Sequence, residues 1–380
     1  MEKINYGKGT PADRKSITAF GNAVFGGTDF ADLLPKIYGE EADCSACHYL
    51  AKSGGSIVGM IGAFPLEINM MGQKLLAYGV GTVCTRPDFR GKGIMTELFR
   101  SALRDMKNDG AVLSTLGGQR QRYEHFGYEP CGTMVEFAVR TANLRPFLSG
   151  ARGLSLAPME RADGAALRQA QKLQRSRPLF VERPLEHFYE ICRSWSSVPL
   201  LLKREGEFCG YLICSADKKN ILELELTDGE RLPEALAAYL EWSGEQELHF
   251  SLPTYEREKI AELESFSEYS NVCFVHSFLI FDWEGLLRQS LALKASCFPL
   301  ADGRLVLEVR ECGKFAFQVS SQKTAVEKTQ DPADISLDRL SAMRFLFSPL
   351  SAFYSYAPGL GAAAASWFPL PLYLPRIDEV

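Results

Sequence analysis

Val83-Cys84-Thr85-Arg86-Pro87-Asp88-Phe89-Arg90-Gly91-Lys92-Gly93-Ile94-Met95 is where this chain passes from strand to helix through a basic, glycine-bearing loop. A β-rich run, Leu75 to Thr85, leads into it. Beyond it, Ile94, Met95, Leu98, Phe99, Ala102, Leu103 and Met106 share one helical face, while Thr96, Glu97, Arg100, Arg104, Asp105 and Lys107 share the other. Gly110 is placed as a C′ stop, and a second strand is predicted from Ala111 to Leu116. That order makes a pyrophosphate site out of backbone. Gly91 and Gly93 can take positive φ and bring N–H groups close to a ligand. The helix starting at Ile94 adds unpaired amides and the positive end of its dipole. Arg90 and Lys92 add charge.

This strand–loop–helix–strand unit resembles the acetyl-CoA site of the GNAT N-acetyltransferases, whose loop reads Arg/Gln-x-x-Gly-x-Gly/Ala. Arg90, Gly91, Lys92 and Gly93 fit it, and Met95 replaces the final small residue. The Eis-type (enhanced intracellular survival) branch is loose at that position. An ordinary basic surface turn is the bland alternative, and the strand before and helix after argue against it. The resemblance implies acetyl-CoA as cosubstrate. Its contacts would fall on Val83, Thr85, Arg90, Gly91, Lys92, Gly93 and Met95.

A length of 380 residues allows two or three domains, and the apolar share of 46% is ordinary for globular chains. The net charge of −5 gives no support to non-specific nucleic-acid binding. Met1 to Lys15 is polar and charged, without an apolar leader core, and no stretch approaches the length of a membrane span. A cytoplasmic location is therefore expected, with no nucleic-acid or membrane partner.

The ten cysteines are scattered. Cys44-Ser45-Ala46-Cys47-His48 matches the attachment pattern of haem c and is also half a zinc site. Haem c requires export, and zinc requires two further ligands. Small, half-buried thiols are the expected reading, and no metal is expected. Cys84 has no paired base in view to make it a nucleophile.

The fold class expected is α+β. Helical or apolar-patterned stretches at Ile17–Phe25 and Phe30–Tyr38 precede strands at His48–Ala51 and Ser56–Ala63, then a hairpin at Met71-Gly72-Gln73. Residues 151–285 repeat nearly the same order: helices at Gly164–Gln174 and Leu185–Ser194, strands at Val198–Lys203, Phe208–Ser215 and Asn220–Leu226, a helix at Leu232–Ser243 and a strand at Glu247–Leu252. At the place of the glycine loop this second unit reads Leu226-Thr227-Asp228-Gly229-Glu230-Arg231-Leu232-Pro233, whose acids would repel a pyrophosphate. One live and one degenerate GNAT unit in tandem resembles the Eis-type architecture. The division expected is 1–150 catalytic, 151–285 degenerate, and 286–380 a small α+β domain resembling sterol carrier protein in order and length. That third region should hold a helix at Trp283–Leu293, strands at Leu305–Arg310 and Lys314–Val319, a polar loop at Ser320–Asp334 and a helix at Ser336–Phe347.

Acetyl transfer to an amine needs a neutral amine, a stabilised oxyanion and a proton for the departing thiolate. Gly117-Gly118-Gln119-Arg120-Gln121-Arg122-Tyr123-Glu124-His125-Phe126-Gly127-Tyr128 resembles the Eis-family run Tyr-x-x-Phe-Gly-Tyr, whose first tyrosine is that family's proposed general acid. The role falls on Tyr123. A phenol of pKa near ~10 protonates a thiolate near ~8.5 only with help from its surroundings. Packing is the alternative for Tyr123 and the expected role of Tyr128, and His125 is a rival base. The chain ends Trp367-Phe368-Pro369-Leu370-Pro371-Leu372-Tyr373-Leu374-Pro375-Arg376-Ile377-Asp378-Glu379-Val380, an extended apolar tail that reads as docked rather than disordered. In Eis-type enzymes the terminal carboxylate reaches the active site, so Val380 is the second catalytic candidate, as base or as a group positioning a cationic amine. A merely packed tail is the alternative. The whole resemblance implies an N-acetyltransferase acting by direct attack on aminoglycoside- or polyamine-like amines or on lysine, and a homo-oligomer, a hexamer by family resemblance. A non-catalytic CoA- or lipid-binding protein on the same scaffold is the rival.

Overall fold

Alternation and turn chemistry divide the chain into three sheets. The computed structural model describes residues 3–148, 153–354 and 361–380, so the boundary expected at 150–151 lies outside the described residues. In chain order come β1 (Asn5–Lys8), α1 (Arg14–Val24), α2 (Phe30–Leu33), α3 (Pro35–Tyr38), β2 (His48–Ser53), β3 (Ser56–Met70), β4 (Gln73–Thr85), α4 (Ile94–Asn108), β5 (Leu113–Leu116), α5 (Arg120–Tyr123) and β6 (Glu129–Cys131). Next are β7 (Met134–Arg140), α6 (Thr141–Leu144), β8 (Leu154–Pro158), α7 (Gly164–Gln174), β9 (Leu179–Val181), α8 (Phe188–Cys192), β10 (Val198–Arg204), β11 (Glu207–Cys214), β12 (Asn220–Leu226), α9 (Leu232–Ser243), β13 (Glu247–Pro253), α10 (Arg257–Glu264), β14 (Tyr269–Cys273) and β15 (His276–Ile280). The last part holds α11 (Trp283–Cys297), β16 (Gly303–Val309), β17 (Gly313–Ser320), β18 (Lys323–Lys328), β19 (Ile335–Leu337), α12 (Arg339–Phe347) and α13 (Gly361–Trp367).

The first sheet runs β1-β2-β3-β4-β5-β15-β6, with β9 added to β3. The second runs β14-β7-β13-β12-β11-β10-β8, and the third β18-β17-β16-β19. Both larger sheets contain one parallel pair bridged by a helix: β4 beside β5 across α4, and β12 beside β13 across α9. The architecture is the mixed, mostly antiparallel α+β arrangement expected. The sheets nevertheless interleave. β7 leaves the N-terminal region to pair with β13 and β14, while β15 returns to sit between β5 and β6. Each unit thus closes its sheet with a strand from the other's stretch of sequence.

α4 forms as its periodicity predicts. Ile94, Leu98, Phe99, Ala102 and Met106 are buried, and Gly110 at φ 79° lets Ala111 N reach back to Met106 O at 3.0 Å. Other expectations need correction. Phe30–Tyr38 is two single-turn helices, because Pro35 pushes Leu34 out of the α region, to φ −130° and ψ 64°. Leu185–Ser194 narrows to α8 between short 3-10 turns. The polar stretch Ser320–Asp334 contains β18, which pairs with β17 and buries Val326 while showing charge outward. Ser336 lies in β19, and α12 starts only at Arg339, where the Asp338 carboxylate accepts from Ser341 N. Among the described residues no helix is long and apolar enough to cross a membrane.

The third sheet and the first share one hydrophobic core, which includes Leu113, Phe278, Leu286, Phe317 and Leu346. The tail runs into it: Trp367, Leu370, Leu372 and Leu374 are almost fully buried there. Tail burial on this scale, rather than any single bond, carries the chain end back to the first sheet.

Candidate active site

β4 and β5 pair from Ala77 with Leu113 to Val80 with Leu116, and there β5 ends. β4 continues to Thr85, so its edge from Gly81 onward faces an open gap instead of a strand. On its other edge β4 carries a bulge: Gly81 pairs with Gly62 and Cys84 with Met60, so Thr82 and Val83 both stand opposite Ile61. Thr82 takes φ 47°, a conformation costly for a β-branched residue. Bulges of this kind re-aim side chains beside active sites.

A cavity of about 580 Å³ opens against this end of β4. Val83, Thr85, Arg90, Gly91, Gly93 and Met95 line it, which gathers six of the seven sequence candidates for the cofactor. Gly91 and Gly93 take φ 75° and 74°, and a Cβ on either would meet nothing within 4 Å, so the loop backbone is uncovered at both positions. The first α4 ladder bond runs from Glu97 N to Gly93 O, which leaves the amides of Ile94, Met95 and Thr96 ahead of the ladder. Arg90 and Arg122 bring positive charge to the wall, and no acidic residue lines it. An anionic, pyrophosphate-bearing ligand fits that donor set. Lys92, the seventh candidate, does not line the cavity; its ammonium lies 4.1 Å from the centre of the Phe89 ring. Val24 and Phe25 at the end of α1 complete the wall and carry no signal in sequence beyond being apolar.

The C-terminus arrives on the same strand. A Cβ on Gly81 would lie 2.6 Å from the Val380 carboxyl carbon, and one on Gly79 would lie 2.6 Å from Val380 Cγ2. The terminal residue is therefore seated directly on β4, two residues before Val83. Alternate glycines within a strand mark such close backbone approach, a signal legible at Gly79-Val80-Gly81 that the motif reading passes over. Gly81→Ala should displace the carboxylate and lower turnover by about 10²-fold, the scale of an ångström-sized misplacement. Steady-state kinetics beside a circular dichroism spectrum would check this, and unchanged turnover would sink the seating argument.

Four side chains hold the tail behind Val380. Lys36 Nζ donates to Ile377 O at 2.6 Å, and Trp195 Nε1 donates to Glu379 O at 3.2 Å. His276 Nε2 meets Glu379 Oε1 at 2.5 Å. Arg183, fully buried, donates to both Asp378 oxygens at 2.8 Å and to both Glu223 oxygens at 2.8 and 3.0 Å. Burial opposes charge on Arg183, yet the facing carboxylates hold its guanidinium well above its ordinary value. Lys36 is pulled down to about 8, with burial the main cause and the nearby tail carboxylates opposing it. Trp195 itself sits at φ 62°, a strained position for a bulky residue.

Tyr123 is buried beneath α4, its ring against Gly118 and 5.6 Å from that of Phe99. It does not line the cavity, although its neighbour Arg122 does. Burial raises the phenol, with Arg122 opposing, so the hydroxyl is protonated at neutral pH. Tyr128 is buried and its hydroxyl pairs with Ser114 Oγ at 2.7 Å. His125 is exposed and lies against the Phe126 ring. Cys84 is pushed up to about 12 by burial, which leaves it a thiol rather than a nucleophile.

His48 of the Cys44–His48 motif is buried with both ring nitrogens engaged: Nδ1 donates to Cys44 O at 2.9 Å, and Nε2 lies 3.0 Å from Tyr38 Oη. Its imidazole is pulled down to about 4, mainly by burial, and stays neutral. In the second unit, the turn that occupies the place of the glycine loop is tied by ion pairs. Arg204 meets Glu230 at 2.6 Å and Glu234 at 2.8 Å, and Arg231 meets Glu234 at 3.1 Å.

Comparison with known proteins shows what this geometry is similar to. A model described as an acetyltransferase (GNAT) domain matches residues 6–131, the stretch that carries β4, the glycine loop and α4. No curated protein sequence matches the chain. Among solved structures, a GCN5-related N-acetyltransferase from Kribbella flavida superposes with a TM-score of 0.69 at 14% identity, covering 100% of this chain and 99% of its own. One from Anabaena variabilis superposes at 0.67 with 16% identity and 100% coverage of both chains. Eis1 from Mycobacterium abscessus superposes at 0.63 with 15% identity, covering 98% and 99%. At these identities the likeness is one of fold, and it spans the whole chain. Residues 6–131 are thus similar to an acetyltransferase domain of the GNAT kind, and that likeness supports an acetyltransferase.

Proposed function

We propose that this protein moves the acetyl group of acetyl-CoA directly to a primary amine of a small cationic acceptor, aminoglycoside- or polyamine-like, or of a lysine-containing one. The observation that carries the reading is the Val380 carboxyl seated on β4 at Gly81, two residues from the cavity wall at Val83. Acetyl-CoA supplies a thioester carbonyl open to attack and a thiolate that must be protonated as it leaves. The amides of Gly91, Gly93 and the first turn of α4, with Arg90, would hold its pyrophosphate, and Lys92 would reach it only by leaving the Phe89 ring. Amides on the free edge of β4, around Val83 and Thr85, would donate to the carbonyl oxygen as negative charge builds on it. The Val380 carboxylate would take the amine's proton, directly or through water, or hold an ammonium in place before attack. Tyr123 would protonate the thiolate, a proton transfer for which its buried phenol is in the correct state. The wall of the cavity reaches Arg122 rather than Tyr123, so this role requires the bound cosubstrate to extend past that wall.

The order of elements in the second unit and its ion-paired turn support a degenerate GNAT partner that holds the tail. The third sheet with α11 and α12 is read as the sterol-carrier-protein-like domain. Tyr269, Val272 and Phe274, exposed on and beside the edge strand β14, give a homo-oligomer an apolar edge to cover.

Acetyl-CoA turnover against aminoglycosides, polyamines and lysine peptides, followed by free-thiol release, tests the reading. Amine-dependent release is the expected result. CoA binding with no release from any amine would favour the non-catalytic binder. Tyr123→Phe should lower turnover by about 10²-fold, the lower end for loss of a general acid. Turnover equal to wild type would end that assignment.

A further inference from the structure

Cys44 and Cys47 stand one 3-10 turn apart at the edge of the small core that also receives Val380. Cys47 N donates to Cys44 O at 3.0 Å, so the turn closes over three residues. Such a turn holds the two Cα atoms within about 7 Å, inside the range a disulfide bridges. Both side chains are half-buried, so a small reagent can reach them. The carbonyl that closes the turn has a second duty. It accepts the Nδ1–H of His48, whose Nε2 meets Tyr38 Oη, and that hydroxyl lies 2.9 Å from Thr82 Oγ1. Thr82 is the bulge residue of β4, between Gly81 under the Val380 carboxyl and Val83 on the cavity wall.

We propose that Cys44 and Cys47 form a reversible dithiol–disulfide site for small disulfides of the glutathione class, and that its state is passed through His48, Tyr38 and Thr82 to β4. Cys47 is the attacking sulfur. The neighbouring Cys44 thiol, and after it the positive charge of Lys8, hold Cys47 below an ordinary thiol against burial and Asp43. The Cys47 thiolate attacks one sulfur of the small disulfide and expels the first thiolate. The Cys44 sulfur then attacks Cys47 Sγ in the mixed disulfide and expels the second. Two electrons pass from the two cysteines to the reagent, and their two protons go to the two thiols released. Closing the ring repositions the Cys44 carbonyl and with it the His48 donor.

The test equilibrates the full chain in buffers of reduced and oxidised glutathione, traps free thiols by alkylation and maps disulfides by mass spectrometry. The expected result is a Cys44–Cys47 disulfide that forms ahead of any other pair among the ten cysteines and opens with dithiothreitol. Amine-dependent CoA release should differ by about fivefold or more between the two forms, the lower range of an ordinary coupling between sites. Cys47→Ser, or Cys44→Ala if that variant folds poorly, should keep the reduced activity and lose the response. Free thiols or bare glutathione adducts at Cys44 and Cys47 would overturn the site, and equal activity of both forms would overturn the link to β4. The link rests on the acetyl-transfer reading, whereas the disulfide map does not. If no amine turns over, acetyl-CoA affinity of the two forms decides the link.

Discussion

Deleting Val380 alone should lower amine-dependent CoA release by about 10²-fold or more while the protein stays folded. The expectation follows from where the tail is held. Lys36, Arg183, Trp195 and His276 grip Ile377, Asp378 and Glu379 by hydrogen bonds that all end before Val380. Removing the last residue therefore spares the anchors and takes away an isopropyl group and a carboxylate from the surface of Gly79 and Gly81. A new carboxylate appears on Glu379, about 3.5 Å back along the chain, where its oxygen is tied to Trp195. A chain extended by one glycine should also fail, because the added residue turns the Val380 carboxylate at Gly81 into a neutral amide and moves the charge one residue on. The two roles open to the carboxylate separate in the kinetics. Loss of a base lowers kcat and removes the acid limb of its pH profile, whereas loss of an ammonium holder raises KM for the amine. Wild-type kinetics in both variants would make the tail a packing element only.

The glycine loop and α4 were legible because their signal is local. Two glycines at positive φ and an apolar stripe at helical spacing fix the backbone whatever surrounds it, and the structure places Ile94, Leu98, Phe99, Ala102 and Met106 inward as that stripe requires. The docked tail was legible from composition, since a run of aromatic, aliphatic and proline residues cannot pay for solvation as a free end. What holds the tail was not. Arg183 meets Asp378 across 195 residues and Glu223 across 40, and no periodicity links three such positions. The exchange of β7 and β15 between sheets was hidden for the same reason: a strand's pattern reports which face is buried, not which neighbour pairs with it. The alternate glycines of β4 are the exception, a local signal whose meaning depends on knowing that the chain's own end approaches there.

Arg183→Met should destabilise the protein by about 3–5 kcal/mol at neutral pH, because it leaves buried carboxylates without their cation. Arg183, Glu223 and Asp378 are each at most 2% exposed, so solvent does little to soften the loss. Arg177, at 3.0 Å, and the Tyr211 hydroxyl, at 2.6 Å, still face Glu223, but among the described residues Asp378 makes its ion pair with Arg183 alone. The pH dependence supplies the sharper check. Burial alone would raise the Glu223 carboxyl, but Arg177 and Arg183 outweigh it and hold the group well below the carboxylate range. A carboxyl depressed in the folded state contributes stability that is present above its unfolded pKa, about 4.3, and lost as pH falls through its folded value. Wild type should therefore lose this contribution on acidification below about pH 4.3. The variant, whose Glu223 has moved upward, has already lost most of it at neutral pH. The gap between the two urea midpoints should accordingly narrow between pH 7 and the acid range. A gap that stays constant would mean that Arg183 acts through packing rather than charge. Combining the substitution with a chain ending at Ile377 removes Asp378 as well. The double variant should then lose less than the sum of the two changes, since one uncompensated carboxylate has gone with the tail. Strict additivity would mean that Arg183 and the tail are energetically separate, and that the second unit does not hold the Val380 carboxylate on β4.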